Sequence, residues 1–390
     1  MSDESRTSSR RTVLKLLGSG AVAAGTAPRL VRAAADAVVA ETLRGNSGKP
    51  LKHEQIRAVR RRFAAKHAPR DGGRPQVAFT DLSETIGDSR VMAYNVVSDG
   101  SGAPREQFAT RDGPADAPGV GSERSDRLHE KADEMLADAK AAAESSGGLS
   151  IQSTGDNWSD WYQYGSTDLY HEFPKMGDYD VRPGNVKFVN DVRKAPDQDR
   201  AGARVKLRME PGRQVCNDGF DGYCSPTIQD GYKNKRAVIF QDWDQPVNST
   251  PTEDLLTDTD PEGQISDVTT TRSVSLGLEA SKSGVAASVG YSSSVTLPAA
   301  ELVDATTLAA GESEHKFDVN SPKSNSSTYN AVFEVGSASR WTPDCAADGR
   351  ATRRVMLDVH VDLQWGLDTP LTAWGDVISD DKSFTYVTYC

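Results

Sequence analysis

Alternation of apolar and polar residues is clearest in the stretch Val355-Met356-Leu357-Asp358-Val359-His360-Val361-Asp362-Leu363-Gln364-Trp365. Every second residue from Val355 to Leu363 is aliphatic, and most of the residues between them are charged or polar. Successive side chains of a strand point to opposite faces of a sheet. This period of two therefore predicts a strand with one buried face and one wet face.

Other strand-like runs occur on both sides of this stretch, with turn-forming residues between them. They lie at 186–189, 203–207, 236–240, 329–335 and 383–389. Short strands at such intervals are typical of antiparallel sheets packed face to face. The sequence therefore predicts a mainly β fold, an antiparallel β-sandwich, for a secreted domain over residues 149–390.

Residues 36–148 differ in character from the rest. Helical patterns at 52–67 and 122–145 flank the stretch 98–121, whose Gly, Pro and Asp content predicts disorder. We predict a small helical or α+β leader domain here, ending in a disordered linker and a final helix. It is either a pro-region that is removed or an ordinary N-terminal domain.

Residues 1–35 have the order of parts found in an export signal. Arg10 and Arg11 precede a weakly apolar segment, and Ala33-Ala34-Ala35 supplies the small residues of a cleavage site. This order predicts a twin-arginine signal peptide and a secreted, extracellular protein. After the signal, no apolar run reaches the length of about 18 residues expected of a membrane helix.

The net charge of the chain limits the kinds of molecule that the protein can bind. The formal net charge is −11, and the predicted signal peptide is basic, so the remainder is more acidic still. A carboxylate-rich surface stays hydrated in concentrated salt, which indicates a halophilic protein. Nucleic acid is excluded as a partner because a polyanion would be repelled.

The four cysteines are Cys216, Cys224, Cys345 and Cys390. An even number in an exported chain predicts two disulfides, with three pairings open. We favour Cys216–Cys224, which closes a short loop, and Cys345–Cys390, which holds the last residue. No paired His or Cys spacing supports a zinc site instead.

The segment 271–297 differs from the rest in composition. If Ser281–Gly284 form a turn, two strands pair with apolar residues on one face and mainly Ser and Gly on the other. The apolar face comprises Val274, Leu276, Leu278, Ala280, Val285, Ala287, Val289 and Tyr291, with Val274 opposite Tyr291. Each arm has about the length, ~9–11 residues, of a tilted strand that crosses the hydrocarbon core. A narrow lumen would favour the small neutral residues of the second face.

This hairpin resembles the stem of the leukocidin/hemolysin-like β-barrel pore-forming toxins, which is also rich in Gly and Ser. An alternating strand ending in Trp follows the stem in that family, as the run 329–335 leads here to Trp341. The resemblance spans roughly residues 230–370. The twin-arginine signal, the long leader and the lack of a clear phospholipid-contacting rim are departures from the family.

The resemblance implies a non-enzymatic, toxin-like protein that forms pores in membranes. Soluble monomers would assemble into a homo-oligomer, and the eight apolar hairpin residues would face target-cell membrane lipid. Two other functions fit the sequence. One is a cell-surface adhesion or structural sandwich, with a surface glycan as partner; the other is a secreted hydrolase made as a zymogen.

No sequence motif names a catalytic residue. The chain has no G-x-S-x-G, H-E-x-x-H or P-loop pattern. The six histidines mostly adjoin charged residues and are predicted to lie on the surface. A cluster of aromatic residues at 158–164, with Tyr170 and Phe173, is predicted to be core, with an exposed glycan or membrane patch as the alternative.

One pattern suggests a metal. Asp258, Asp260 and Glu262 occupy positions 1, 3 and 5 of an EF-hand-like loop, and Gly263 occupies position 6. Thr269 stands where a bidentate Glu is expected at position 12. Ca²⁺ is therefore the one cofactor that the sequence suggests.

Overall fold

The fold is described from a computed structural model. It describes residues 39–46, 48–67, 70–71, 74–75, 79–98, 104–112, 121–146, 162–174, 182–194, 200–212, 231–243, 256–260, 271–274, 293–296, 301–307, 311–319, 325–340, 353–368 and 374–389. The predicted signal peptide lies outside these ranges. All of them belong to one compact unit, Ala35–Cys390.

Seventeen strands and four helices make up the described part of the chain. The strands of the first half are β1 (Val39–Arg44), β2 (Arg70–Asp71), β3 (Arg74–Pro75), β4 (Arg90–Ser98), β5 (Arg105–Arg111), β6 (Tyr162–Glu172), β7 (Gly184–Lys194) and β8 (Arg200–Pro211). Those of the second half are β9 (Lys233–Asp242), β10 (Leu256–Asp260), β11 (Thr271–Val274), β12 (Ser293–Thr296), β13 (Glu301–Asp304), β14 (Glu312–Asp318), β15 (Ala331–Arg340), β16 (Arg353–Asp368) and β17 (Trp374–Tyr389). The helices are α1 (His53–His67), α2 (Leu82–Ile86), α3 (Gly121–Ser146) and α4 (Asn325–Thr328).

Two sheets form the sandwich. The large sheet has the order β1-β4-β5-β6-β7-β8-β15-β10, and the small sheet has the order β13-β14-β9-β16-β17. Their facing sides bury one apolar core, in which Phe188 stacks on Phe384 with ring centroids 4.0 Å apart. The predicted mainly β sandwich is therefore confirmed.

The strand quoted first is an inner strand of the small sheet. It is β16, which pairs with β9 on one side and β17 on the other. Leu357, Val359, Val361 and Leu363 are buried as the alternation predicts. Met356 is also buried, because the register shifts between Val355 and Leu357 and interrupts the alternation there.

Three helices cover the large sheet. The apolar stripe of α3, with Leu128, Ala132 and Met135, packs on Met92 and Tyr170 of that sheet. On the other side, α1 and α2 lie beside the small sheet and share its core. An isolated bridge between Thr80 and Tyr386 joins the chain just before α2 to β17. The helices α1 and α2, on the side of the large sheet that faces the small sheet, thus extend the second layer of the sandwich.

Two predictions about residues 36–148 are corrected by the sheet order. The stretch predicted to be disordered, 98–121, contains β5, a central strand of the large sheet. The predicted boundary at residue 149 does not separate two folded bodies, because β5 pairs in parallel with β6. Parallel neighbours need a crossover connection, usually a helix, and α3 lies between these strands in the chain.

Candidate functional site

The predicted membrane hairpin begins as a ribbon of two short strands. β11 and β12 pair with each other and, among the described strands, with no strand of either sheet. In the chain they lie between β10, an edge of the large sheet, and β13, an edge of the small sheet. The ribbon lies beside β15. It therefore leaves the sandwich where both sheets end.

The register of the ribbon differs from the predicted one by two residues. Val274 pairs with Ser293, and Ser273 pairs with Ser294, whereas the predicted pairing put Val274 opposite Tyr291. An offset of two keeps every side chain on its own face, because side chains alternate with a period of two. The division into an apolar and a Ser/Gly face is compatible with this register.

Only one of the eight predicted lipid-facing residues is within the described ranges. Val274 is the last residue of β11. The other seven lie outside the described residues: Leu276, Leu278, Ala280, Val285, Ala287, Val289 and Tyr291. The structure therefore gives the base of the hairpin and its pairing, and the lipid-facing assignment stays a prediction.

The interior of the sandwich is polar near this edge. Thr259 of β10 and Ser313 of β14 are buried, and their hydroxyl oxygens lie 3.0 Å apart across the two sheets. Trp243 donates from Nε1 to the Ser337 hydroxyl at 2.9 Å. Further along β14 and β15 the interior becomes apolar, where Phe317 and Phe333 pack with centroids 4.7 Å apart. The interior between these strands therefore changes from hydroxyl-lined to apolar along their length.

The first two ligand positions of the predicted calcium loop lie in a strand. Asp258 and Asp260 belong to β10, which pairs with β15, so the backbone is an extended strand and not a curved loop. Glu262 lies outside the described residues. Within the described ranges, no three His, Cys, Asp or Glu side chains are grouped as a metal ion would need.

The remaining predicted residues divide into two groups. Tyr170 and Phe173 are buried, as the core interpretation of the aromatic cluster predicts. Arg10, Arg11, Cys216, Cys224, Cys345 and Cys390 lie outside the described residues, so the export signal and the disulfides stay predictions. No helix in the described ranges has the length and apolar character needed to span a bilayer.

The prediction that the histidines are surface groups is wrong for His171 and His315, which are both fully buried. His171 lies in β6 with Nδ1 2.8 Å from the Thr110 hydroxyl and Nε2 3.1 Å from Asp112 Oδ2. Burial lowers the pKa of His171, against the opposing hydrogen bond of Asp112. The neutral ring can then donate from Nε2 and accept at Nδ1.

Asp112 joins the residue just before β4 to the last described strand, β17. It accepts from Ser89 at 2.6 Å and lies 3.5 Å from Lys382 Nζ in β17. Burial alone would raise its pKa, but the hydrogen bond from His171, with Lys382 and Ser89, holds that pKa well below its usual range. The arrangement of Thr110, His171 and Asp112 has the connectivity of a catalytic triad, but Thr110 is buried on a central strand, where no substrate can reach it.

Buried ion pairs are the second feature that the sequence analysis missed. Glu106 of β5 accepts from Arg60 Nε at 2.7 Å and from the Tyr94 hydroxyl at 2.7 Å, and its other oxygen accepts from the Thr80 backbone at 3.1 Å. Arg105 binds Asp168 of β6 through Nε and Nη2, both at 3.0 Å. The charged residues Arg105, Glu106 and Arg111 were the available signal, but such residues are also typical of an exposed loop.

In comparisons with known proteins, no family model matches this chain, and no curated protein matches it significantly.

Proposed function

We propose that the protein is a secreted, non-enzymatic pore-forming protein whose 271–297 hairpin inserts into the membrane of a target cell. The observation that carries the proposal is the position of β11 and β12 outside both sheets. A hairpin that shares no ladder with the sandwich can change its position without breaking the hydrogen bonds of either sheet.

The composition of the predicted hairpin supports insertion into lipid. One face carries Leu276, Leu278 and Val289, and the opposite face is almost entirely Ser and Gly in a chain of net charge −11. Membrane β-barrels alternate apolar residues toward lipid with polar residues toward the lumen. We infer that the protein is exported by the twin-arginine pathway and acts in concentrated salt as a homo-oligomer.

The test is release of a trapped dye from liposomes in high salt, with residues 36–390 as the protein. We expect release by the natural sequence. Leu276→Asp and Leu278→Asp should each abolish it, because a charge on the lipid face of a membrane strand is destabilising. Ser275→Asp and Ser288→Asp are the matched controls on the opposite face, and they should keep release.

Circular dichroism of the soluble form confirms that each variant is folded. Release that survives both Leu variants contradicts the lipid-facing assignment. Absence of release by the natural sequence across several lipid compositions, together with binding to cell-surface glycans, would instead identify an adhesion protein.

A further inference from the structure

One end of the large sheet carries a row of polar residues on adjacent strands. Arg90 of β4 is opposite Arg111 of β5, Arg111 is beside Glu172 of β6, and Glu172 is opposite Asn185 of β7. Directly opposite residues of an antiparallel pair are only about 5 Å apart at Cα, and like charges there are destabilising. The Arg90–Arg111 pair therefore needs a compensating partner.

Glu172 is engaged by two other arginines. It is fully buried, accepts from Arg127 Nε of α3 at 2.7 Å, and accepts through its other oxygen from Arg182 Nη2 at 3.0 Å. The nearest carboxylate on the next strands, Glu210, pairs with Arg208 at 3.2 Å and accepts from Tyr170 at 3.3 Å. Two arginines thus already occupy Glu172, and Arg111 and Arg90 follow it in the row.

Arg111 and Arg90 each have a guanidinium nitrogen without a hydrogen-bond partner among the described residues. Arg111 is 6 % exposed, and its Nε is buried without a hydrogen-bond partner among the described residues. Nη1 of Arg90 is in the same situation. Burial, and next the charge of Arg90, lower the pKa of Arg111 below its ordinary value, with Glu172 opposing them. A buried cation with unsatisfied N–H donors is strongly unfavourable unless an anion satisfies it.

The backbone holds this cluster in place. Gly184 follows Arg182 and Pro183 and has φ +152°, and a Cβ there would lie 2.1 Å from the Glu210 carbonyl oxygen. Gly212 donates from its N–H to the Pro183 carbonyl at 2.7 Å. This close crossing of the two chain segments requires glycine and fixes the start of β7. The Arg182 backbone is therefore fixed before any ligand binds.

We propose that Arg90 and Arg111, with Arg127 and Arg182 beside them, form a binding site for a phosphate-type oxyanion. The forked N–H groups of guanidinium match the oxygens of phosphate, and a doubly charged anion offsets both unmatched cations. Arg90 is only half-buried, so the site reaches the surface where β4 begins. The proposal is independent of whether the hairpin inserts into a membrane.

The first experiment measures thermal unfolding of residues 36–390 in sodium phosphate and in sodium chloride of equal ionic strength. We expect the Tm to rise with phosphate and to saturate, because a ligand that binds only the folded state stabilises it. Arg111→Gln should lose this rise, and Arg57→Gln, a change at an exposed position of α1, should keep it. In chloride, the Tm of Arg111→Gln should equal or exceed that of the natural sequence, since the variant removes an unmatched buried cation.

Three results would overturn the proposal: no phosphate-specific rise, a rise that survives Arg111→Gln, or a marked loss of Tm by that variant in chloride. The last would make Arg111 a structural cation. Should Arg111→Gln not fold at all, Arg90→Gln replaces it, with the same expected and contradicting results.

The second experiment distinguishes the two sources of the phosphate group. Co-sedimentation is measured with vesicles of phosphatidylcholine alone and with vesicles that also contain phosphatidylglycerol. Binding to the anionic vesicles that Arg111→Gln abolishes would identify a lipid headgroup. Vesicle binding that the variant leaves unchanged, with the phosphate-induced rise lost, would identify free phosphate.

Discussion

At the scale of single residues, ion pairs with buried carboxylates connect the described residues before 149 to those after it. Arg105–Asp168 and Arg127–Glu172 each join a residue before 149 to one after it, and both carboxylates are buried. Glu106 accepts five hydrogen bonds, two each from Arg60 and Thr80 and one from Tyr94. A buried charge is tolerated when its hydrogen bonds are complete, and its partner becomes unfavourable when they are broken.

Glu106→Gln should therefore destabilise the protein by about 3 kcal/mol, because it leaves Arg60 buried without its counter-charge. Urea unfolding followed by fluorescence measures the change. The matched control is Glu134→Gln, since Glu134 forms an exposed pair with Lys131. Exposed pairs contribute about 0–1 kcal/mol. Equal effects of the two substitutions would contradict the importance of the buried pair.

Stability should fall as the pH falls from about 7 to about 5, through His171. Its pKa is lower in the folded protein than in the unfolded chain, so the unfolded chain binds more protons near pH 6.5. His171→Asn should flatten the dependence of Tm on pH in this window, and His360→Asn, at a partly exposed site, should not.

Asp112 should add a second loss of stability below about pH 4. Its lowered pKa stabilises the fold above the ordinary pKa of a carboxyl group, and this contribution is lost as the pH falls past it.

A Tm that is unchanged between pH 7 and 5 in the natural sequence would contradict the assignment for His171.

At the scale of elements, the ribbon is the one feature with strands in neither sheet of the described sandwich, apart from the short β2–β3 pair. Its ends are close together, because Thr271 pairs with Thr296. A short linker can therefore replace everything between them without straining the chain.

Replacing residues 271–296 by a Gly-Ser linker should leave the sandwich folded and abolish dye release. We expect a Tm within a few degrees of that of the natural protein. The far-UV circular dichroism signal per residue should still be that of a folded β protein. The comparison is with a variant in which Ser281–Gly284 alone are exchanged for another turn sequence, which should still release dye. An unfolded deletion variant would mean that the ribbon is integral to the core.

At the scale of the whole molecule, the leader and the later residues form one sandwich. Removal of residues 36–148 would take β1, β4 and β5 from the large sheet and leave β6 as an unpaired edge. It would also remove Arg127, one of the two arginines paired with Glu172, and Arg105, which leaves the buried Asp168 without its counter-charge.

Residues 149–390 expressed alone should therefore lack a cooperative unfolding transition in near-UV circular dichroism. Co-expression of 36–148 with 149–390 as separate chains should restore it, because the β5–β6 ladder can form between two chains. A cooperative transition of 149–390 alone would instead favour the interpretation of 36–148 as a removable pro-region.

The mainly β class, α1, α3 and the regularly alternating strands such as β16 could be predicted from the amino-acid sequence. In those segments the period of apolar residues follows directly from which face is buried. The residues of β5 escaped prediction because their charges are satisfied only by Arg60, Asp168 and other residues distant in sequence. Likewise, the arginines at 90, 111, 127 and 182 are far apart in sequence, and only the folded sheet brings them close together. These features could not be predicted, because pairing between distant charges produces no local periodicity in the chain.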